Sequence, residues 1–262
     1  MSKSWFPGLT ELDQMFGNGV QKGSAILFLY ETGSGQDYIT SEIIRNHYNR
    51  GGKTILVLTS NSSSHFVNNI QDILSSENFK IIDCVSPKNI YNTKHYIPNT
   101  SQIFDIFLEM KKARDDFLKN SKEEEPNILV CLYSLSSLFI NFETNEVIQF
   151  LDKNIREAMR CKTIEFYLLS EGILEKSVEK RIQTLANVIL RTRTEFKEHR
   201  RQNYIQLLEH NSETPYPEER QYSIISHDYT RPKLVFHIPL LGGSYMTNAK
   251  TQVNPENRVN IH

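Results

Sequence analysis

Five short apolar runs, separated by stretches with helical spacing, set the pattern of the first two thirds of the chain. They cover residues 25–30, 54–59, 81–85, 128–133 and 163–169. Runs this short and this continuously apolar suit strands that are covered on both faces. Between them, residues 37–49 carry Ile39, Ile43, Ile44 and His47 near one stripe. Residues 103–118 place Ile103, Ile106, Phe107, Met110, Ala113 and Phe117 at three- and four-residue spacings. Residues 147–159 do the same with Phe150, Leu151, Ile155 and Met159, and a further helix is expected over 175–185. Strand and helix alternate, so the pattern predicts an α/β fold: a mostly parallel central sheet with helices on both faces.

The pattern then changes. Residues 188–191, 204–208, 222–225 and 234–238 read as strands joined by polar turns, which predicts antiparallel strands extending the sheet at its C-terminal side. Residues 119–126, with three consecutive glutamates, read as a solvated loop. No internal repeat or domain boundary is visible. We expect one domain over residues 1–245 and a polar, disordered tail over 246–262, after Leu241, Gly242 and Gly243.

Composition narrows the class. The 262 residues are 39% hydrophobic and 23% charged, ordinary for a globular chain able to bury a full sheet without disulfides or metal. A formal net charge of −1 gives no global attraction for nucleic acid or an anionic membrane. No apolar run approaches the roughly 20 residues that span a bilayer, and residues 1–9 lack the apolar stretch of a signal peptide. Cys84, Cys131 and Cys161 are far apart and form no Cys-x-x-Cys pair, so buried, reduced thiols in a cytoplasmic protein are expected rather than a zinc site. The eight histidines show no metal spacing. His95, His199, His210 and His227 lie in polar surroundings, which predicts surface positions.

The candidate chemistry sits after the first strand, where Thr32, Gly33, Ser34, Gly35, Gln36 and Asp37 lead into a helix. A strand, a Gly-rich turn and a helix N-terminus form the geometry that cradles phosphate. The P-loop pattern requires Gly, four residues, then Gly-Lys-Ser/Thr. With its last Gly on Gly35, Tyr30 takes the first Gly position, Gln36 the Lys position and Asp37 the Ser/Thr position. A neutral amide replaces the ammonium that meets the β and γ phosphates, and a carboxylate replaces the hydroxyl that binds Mg²⁺. Two charges a few ångströms apart near a protein surface interact by several kcal/mol, so exchanging attraction for repulsion weakens triphosphate binding by orders of magnitude. A plain turn, with Asp37 as helix N-cap, is the alternative use of the same residues.

A wider pattern bears on the choice. The lead-in Gly8-Leu9-Thr10-Glu11-Leu12-Asp13, the turn Gly17-Asn18-Gly19 and Gly23-Ser24 before the first strand resemble the start of KaiC-like ATPases, a RecA-related family widespread in archaea. The resemblance continues through Arg50-Gly51-Gly52-Lys53, Tyr133-Ser134-Leu135-Ser136 and Leu185-Ala186-Asn187, covering about residues 6–225. It implies a RecA-like core that assembles side by side, with ATP between subunits. The departures decide the expected function. Tyr133 stands where the family carries the Asp of the Mg²⁺ shell. Ser60 and Asn61 stand where it carries an acidic pair, one of which activates water. Leu208 and His210 align with the late-strand Lys and Arg that reach a neighbour's γ-phosphate.

We therefore expect a degenerate ATPase with no catalytic residues, no metal and no cofactor. It would act as a regulatory or assembly subunit through protein partners, as a homo-oligomer or with an active KaiC-like ATPase. The alternatives are a sensor that binds ATP or ADP weakly, and a nucleic-acid binder using Arg191, Arg193, Lys197, His199, Arg200 and Arg201. The latter is disfavoured because a charge run is more often a solvated face, and no series of aromatic residues interleaves it as a single-strand platform would need.

Overall fold

In a computed structural model the described residues are 4–60, 63–97, 102–121, 125–197, 200–210, 218–225, 233–239 and 245–247. Among these residues, eleven strands form one sheet. They are β1 (Ala25–Tyr30), β2 (Lys53–Leu58), β3 (Phe79–Asp83), β4 (His95–Tyr96), β5 (Ile128–Tyr133), β6 (Ile164–Ser170), β7 (Val188–Lys197), β8 (Arg200–His210), β9 (Glu218–Ile225), β10 (Lys233–Pro239) and β11 (Tyr245–Thr247). Their spatial order is β11-β10-β9-β8-β7-β1-β6-β5-β2-β3-β4. From β7 across to β4 every neighbouring pair is parallel. From β7 out to β11 every pair is antiparallel. The expected mostly parallel sheet with C-terminal antiparallel strands is the observed one.

The alternation of side chains along each strand feeds two cores. Ile26, Phe28 and Tyr30 of β1 face one layer, with α1 (Thr10–Met15), α2 (Gln36–Asn49) and α3 (Ser63–Asn68). Ala25, Leu27 and Leu29 face the other, with α4 (Ile103–Lys119), α5 (Leu135–Asn141), α6 (Thr144–Cys161) and α7 (Lys176–Gln183). β1, β5 and β6 are buried along their whole length, as runs covered on both faces require. No described helix is long and apolar enough to cross a membrane.

Several expectations need correction. Met159 is 60% exposed, and the buried stripe of α6 runs instead through Val147, Phe150, Leu151, Asn154 and Ala158. His95 is buried, because β4 draws it against β3 and its Nδ1 lies 3.0 Å from Glu109 of α4. His210 is half-buried, its Nε2 3.1 Å from the Gly19 carbonyl. Met246 and Thr247, assigned to the tail, belong to β11. His199, His227, Gly242, Gly243 and residues 248–262 lie outside the described residues. The cysteines are free thiols, with Cys131 and Cys161 buried.

Two buried polar contacts lock the layers to the sheet. In the α4–α7 layer, Arg114 and Glu165 form an ion pair at 2.9 Å with both side chains fully buried. Asn154 Oδ1 accepts a second bond from the guanidinium at 3.1 Å, and Thr163 Oγ1 donates to the carboxylate at 2.8 Å. Burial pushes the Glu165 carboxyl up, against the pull of Arg114. In the other layer, Trp5 Nε1 donates to Nδ1 of the buried His47 at 3.1 Å, which leaves Nε2–H facing the Lys53 carbonyl at 3.1 Å.

Truncating Glu165→Ala strands the buried guanidinium and is expected to cost about 3–5 kcal/mol in denaturant unfolding. His47 carries a pH dependence. Burial pushes its pKa down to about 4, so it stays neutral in the fold while the unfolded imidazole, near 6.5, takes up a proton first. Stability from this site is complete above pH 6.5 and falls as pH drops toward 4, by about 3 kcal/mol in all. Urea midpoints between pH 7 and 4 should show this slope, reduced in His47→Asn.

Candidate phosphate-loop site

Parallel strands leave their polar ends on one side of the sheet, and the turn from β1 to α2 lies there. Gly33 and Gly35 have φ of 80° and 87°, left-handed values that favour glycine. Gly35 is the N-cap of α2, Gln36 opens the helix and Asp37 follows in its first turn. Asp37 is therefore not the N-cap. Thr32 and Gly33 are exposed, while Ser34 is fully buried beneath them. Its Oγ lies 2.7 Å from Thr192 Oγ1 of β7. The Tyr222 hydroxyl of β9 donates to the Ser34 carbonyl, and the Arg201 guanidinium of β8 donates to the Gly33 carbonyl. A methyl built on Gly35 would collide with Ile224 Cδ1. The loop is thus clasped by three strands of the C-terminal antiparallel half.

Tyr133, the last residue of β5, points into the same place. Its hydroxyl donates to Asp37 Oδ1 at 2.7 Å, and its ring stacks on Phe66 of α3 at 4.6 Å between centroids and 9° between planes. The two residues that depart from the metal-binding pattern therefore bond to each other. Tyr133 is 4% exposed and Asp37 is half-buried, so the bond is shielded from water on the tyrosine side only. Tyr30, in the first Gly position, is buried beside them; burial raises its pKa, and the Asp37 charge adds to that.

Hydroxyl groups fill the neighbouring strand ends. Thr59 Oγ1 donates to the Ser134 carbonyl at 2.7 Å, Ser137 Oγ donates to Thr59 Oγ1 at 2.9 Å, and Ser136 Oγ accepts the Ser170 N–H at 2.8 Å. Ser60 is half-buried just beyond β2, while Asn61 lies outside the described residues. No group of three or more His, Cys, Asp or Glu that could hold a metal occurs among the described residues. A magnesium triphosphate fits this set poorly. The Asp37 carboxylate already accepts from a phenol, the Glu31 carboxylate accepts the Thr194 N–H, and Gln36 brings no charge to a phosphate.

The structure brings together Thr32 to Asp37, Tyr133 and Ser60, but not Leu208 or His210. His210 pairs with Val188, at the opposite end of the sheet from this chain's own loop, and Leu208 is the extra residue where the β7–β8 register shifts. Sequence reasoning missed Thr192, Tyr222, Ile224 and Phe66, which no spacing links to the loop. Arg201 was visible only as part of a basic run of six, and three of its members are neutralised. Arg191 pairs with Glu171 at 2.5 Å, Arg193 with Glu219 at 2.7 Å and Lys197 with Glu195 at 2.7 Å. His199 lies outside the described residues.

No family model and no curated protein matches the chain. Among solved structures, the chain is similar to the crystal structure of the flagellar accessory protein FlaH from Methanocaldococcus jannaschii, at 16% identity and a TM-score of 0.57. The match covers 87% of this chain and 95% of FlaH. With the sheet order above, it shows that the chain has a RecA-like α/β fold, a mostly parallel sheet between two helical layers extended by C-terminal antiparallel strands.

Proposed function

We propose that this chain is a RecA-fold subunit that does not turn over ATP and works through contacts with other proteins, as a regulatory or assembly component. The observation that carries this reading is the bond between the Tyr133 hydroxyl and Asp37. Phosphoryl transfer depends almost wholly on positioning and on stabilising developing charge. A tyrosine where a metal-binding carboxylate is expected, bonded to an aspartate where a metal-binding hydroxyl is expected, turns an electrostatic site into a packing contact. Gln36 supplies no ammonium, and Ser60 cannot act as a general base near neutral pH. The clasp by Arg201, Tyr222 and Ile224 supports the same reading, since it gives the loop a structural role. FlaH is a flagellar accessory protein, and an accessory role is what we carry over to this chain.

A second reading, a sensor that binds nucleotide without fast hydrolysis, draws on the retained left-handed glycines at the start of α2. Calorimetry with MgATP separates the two. No heat at millimolar nucleotide supports the assembly role, and micromolar binding supports the sensor. In an ATPase assay, neither the native chain nor a Gln36→Lys, Asp37→Thr double variant is expected to turn over, because Tyr133 and Ser60 remain. Robust hydrolysis by the native chain would sink the proposal. The carrying bond has its own test: a double-mutant cycle of Asp37→Ala with Tyr133→Phe should show a coupling of about 1–2 kcal/mol in unfolding free energy.

A further inference from the structure

We propose that the cavity beside β3 binds a short free peptide of about three residues, extended and parallel to that strand. The inference goes beyond the assembly role and does not depend on it. β4 covers β3 only at Ile82 and Asp83, so Phe79, Lys80 and Ile81 form an uncovered edge. The chain ahead of β4 does not continue along that edge. Asn92 has a left-handed φ of 48°, which asparagine tolerates. The Asn89 side chain closes the loop on itself, bonding the Thr93 carbonyl at 2.8 Å and the Thr93 N–H at 2.9 Å. Thr93 in turn donates its hydroxyl to the Ile81 carbonyl. Between loop and edge lies a cavity of about 650 Å³, within the roughly 300–1,000 Å³ usual for small-ligand sites.

The cavity has two unlike walls, because successive residues of β3 face opposite layers. Phe79 and Ile81, buried in the α1–α3 layer, line one side with the half-buried Leu74 and Tyr91. Lys80, Asp116 and Asn120 line the α4 side, where the Lys80 ammonium bonds Asp116 at 2.9 Å and lies over the Phe117 ring. A peptide laid alongside alternates in the same way. It therefore takes apolar side chains first and third and a polar one between them. Three residues at about 3.3 Å each match the uncovered length.

The two ends fix the direction. Glu77, just ahead of β3, lines the cavity where the uncovered edge begins, and Lys94 and His95 line it where β4 takes over. Glu77 and Lys94 are exposed and have no ion pair among the described residues. His95 is only 9% exposed; Glu109 holds its Nδ1 at 3.0 Å, and Nε2 has no partner among the described residues. With a ligand carboxylate at Nε2, the imidazolium form has an acceptor on each side. A peptide parallel to β3 brings its carboxylate to Lys94 and His95 and its ammonium to Glu77. The antiparallel direction turns both matches into repulsions. A free oligopeptide carries both termini, which a stretch inside a longer chain does not.

The test is calorimetry with the tripeptide Val-Ser-Val, its C-terminal amide and its N-acetyl form, with hydrogen exchange to locate the contact. The free tripeptide should bind with measurable heat, and each blocked form about tenfold more weakly, as loss of a charge-assisted bond implies. Exchange should slow over residues 79–81 and stay unchanged over residues 32–37. Lys94→Glu and Glu77→Lys, both at exposed positions and checked for folding by circular dichroism, should each weaken the free tripeptide by about tenfold. No heat from the free tripeptide at millimolar concentration overturns the inference, as does protection confined to another part of the sheet. An amide that binds as tightly as the free form overturns the assigned direction. An acetyl form that does so overturns the free-peptide assignment and gives the slot to the C-terminal tail of a protein. None of these results measures nucleotide binding or turnover, so the parent reading stands or falls separately.

Discussion

A parallel strand with helices on both faces has nowhere for polar chemistry except its ends. This constraint orders the whole molecule. β1 and β5 are apolar from end to end, and β6 departs only at Glu165, paired with Arg114, and at Ser170, so backbone bonding within the sheet and side-chain packing against two helical layers account for most of their interior. Polar side chains gather where the strands stop: Thr59 after β2, Tyr133 ending β5, Ser170 ending β6 and the glycine turn after β1. The candidate site is the place where those ends converge, and its character depends on which residue types occupy them.

At that edge, two changes that look damaging one at a time are complementary together. An aspartate beside a phosphate loop is a repelling charge, and a tyrosine in a metal shell is a poor ligand. Side by side they form a short, charge-assisted hydrogen bond, backed by a stacked phenylalanine. The loop keeps its left-handed glycines but turns its carbonyls toward Arg201 and Tyr222. A cradle of this shape, open to an anion elsewhere, can in this way be satisfied by the protein itself, which is the physical content of the proposed assembly role.

Much of this was legible in the sequence, for identifiable reasons. The limits of β1 and β5 coincide with their apolar runs, because a fully buried strand changes hydropathy sharply at both ends. The hairpin strands were read too short. Arg193, Glu195 and Lys197 pair as strand residues although they are charged, since beyond β1 the hairpin is open to water. α5 was missed because its serines mask a helix of only seven residues, and β4 because two residues carry no period. Tyr133 and Asp37 were each recognised as departures, but their partnership spans 96 residues of sequence and no local pattern encodes it. The clasp by Tyr222 and Ile224 was invisible for the same reason.

The two outermost strands also have a consequence for how the fold can be used. β4 contributes two residues and β11 three, so each flank of an eleven-strand sheet ends in a stub. A stub offers too few free backbone groups to template a twelfth strand from another molecule. Among the described residues, recruitment of another main chain would therefore have to start on the uncovered lengths of the inner neighbours, Phe79–Ile81 of β3 and Lys233–Phe236 of β10, and not on the stubs themselves.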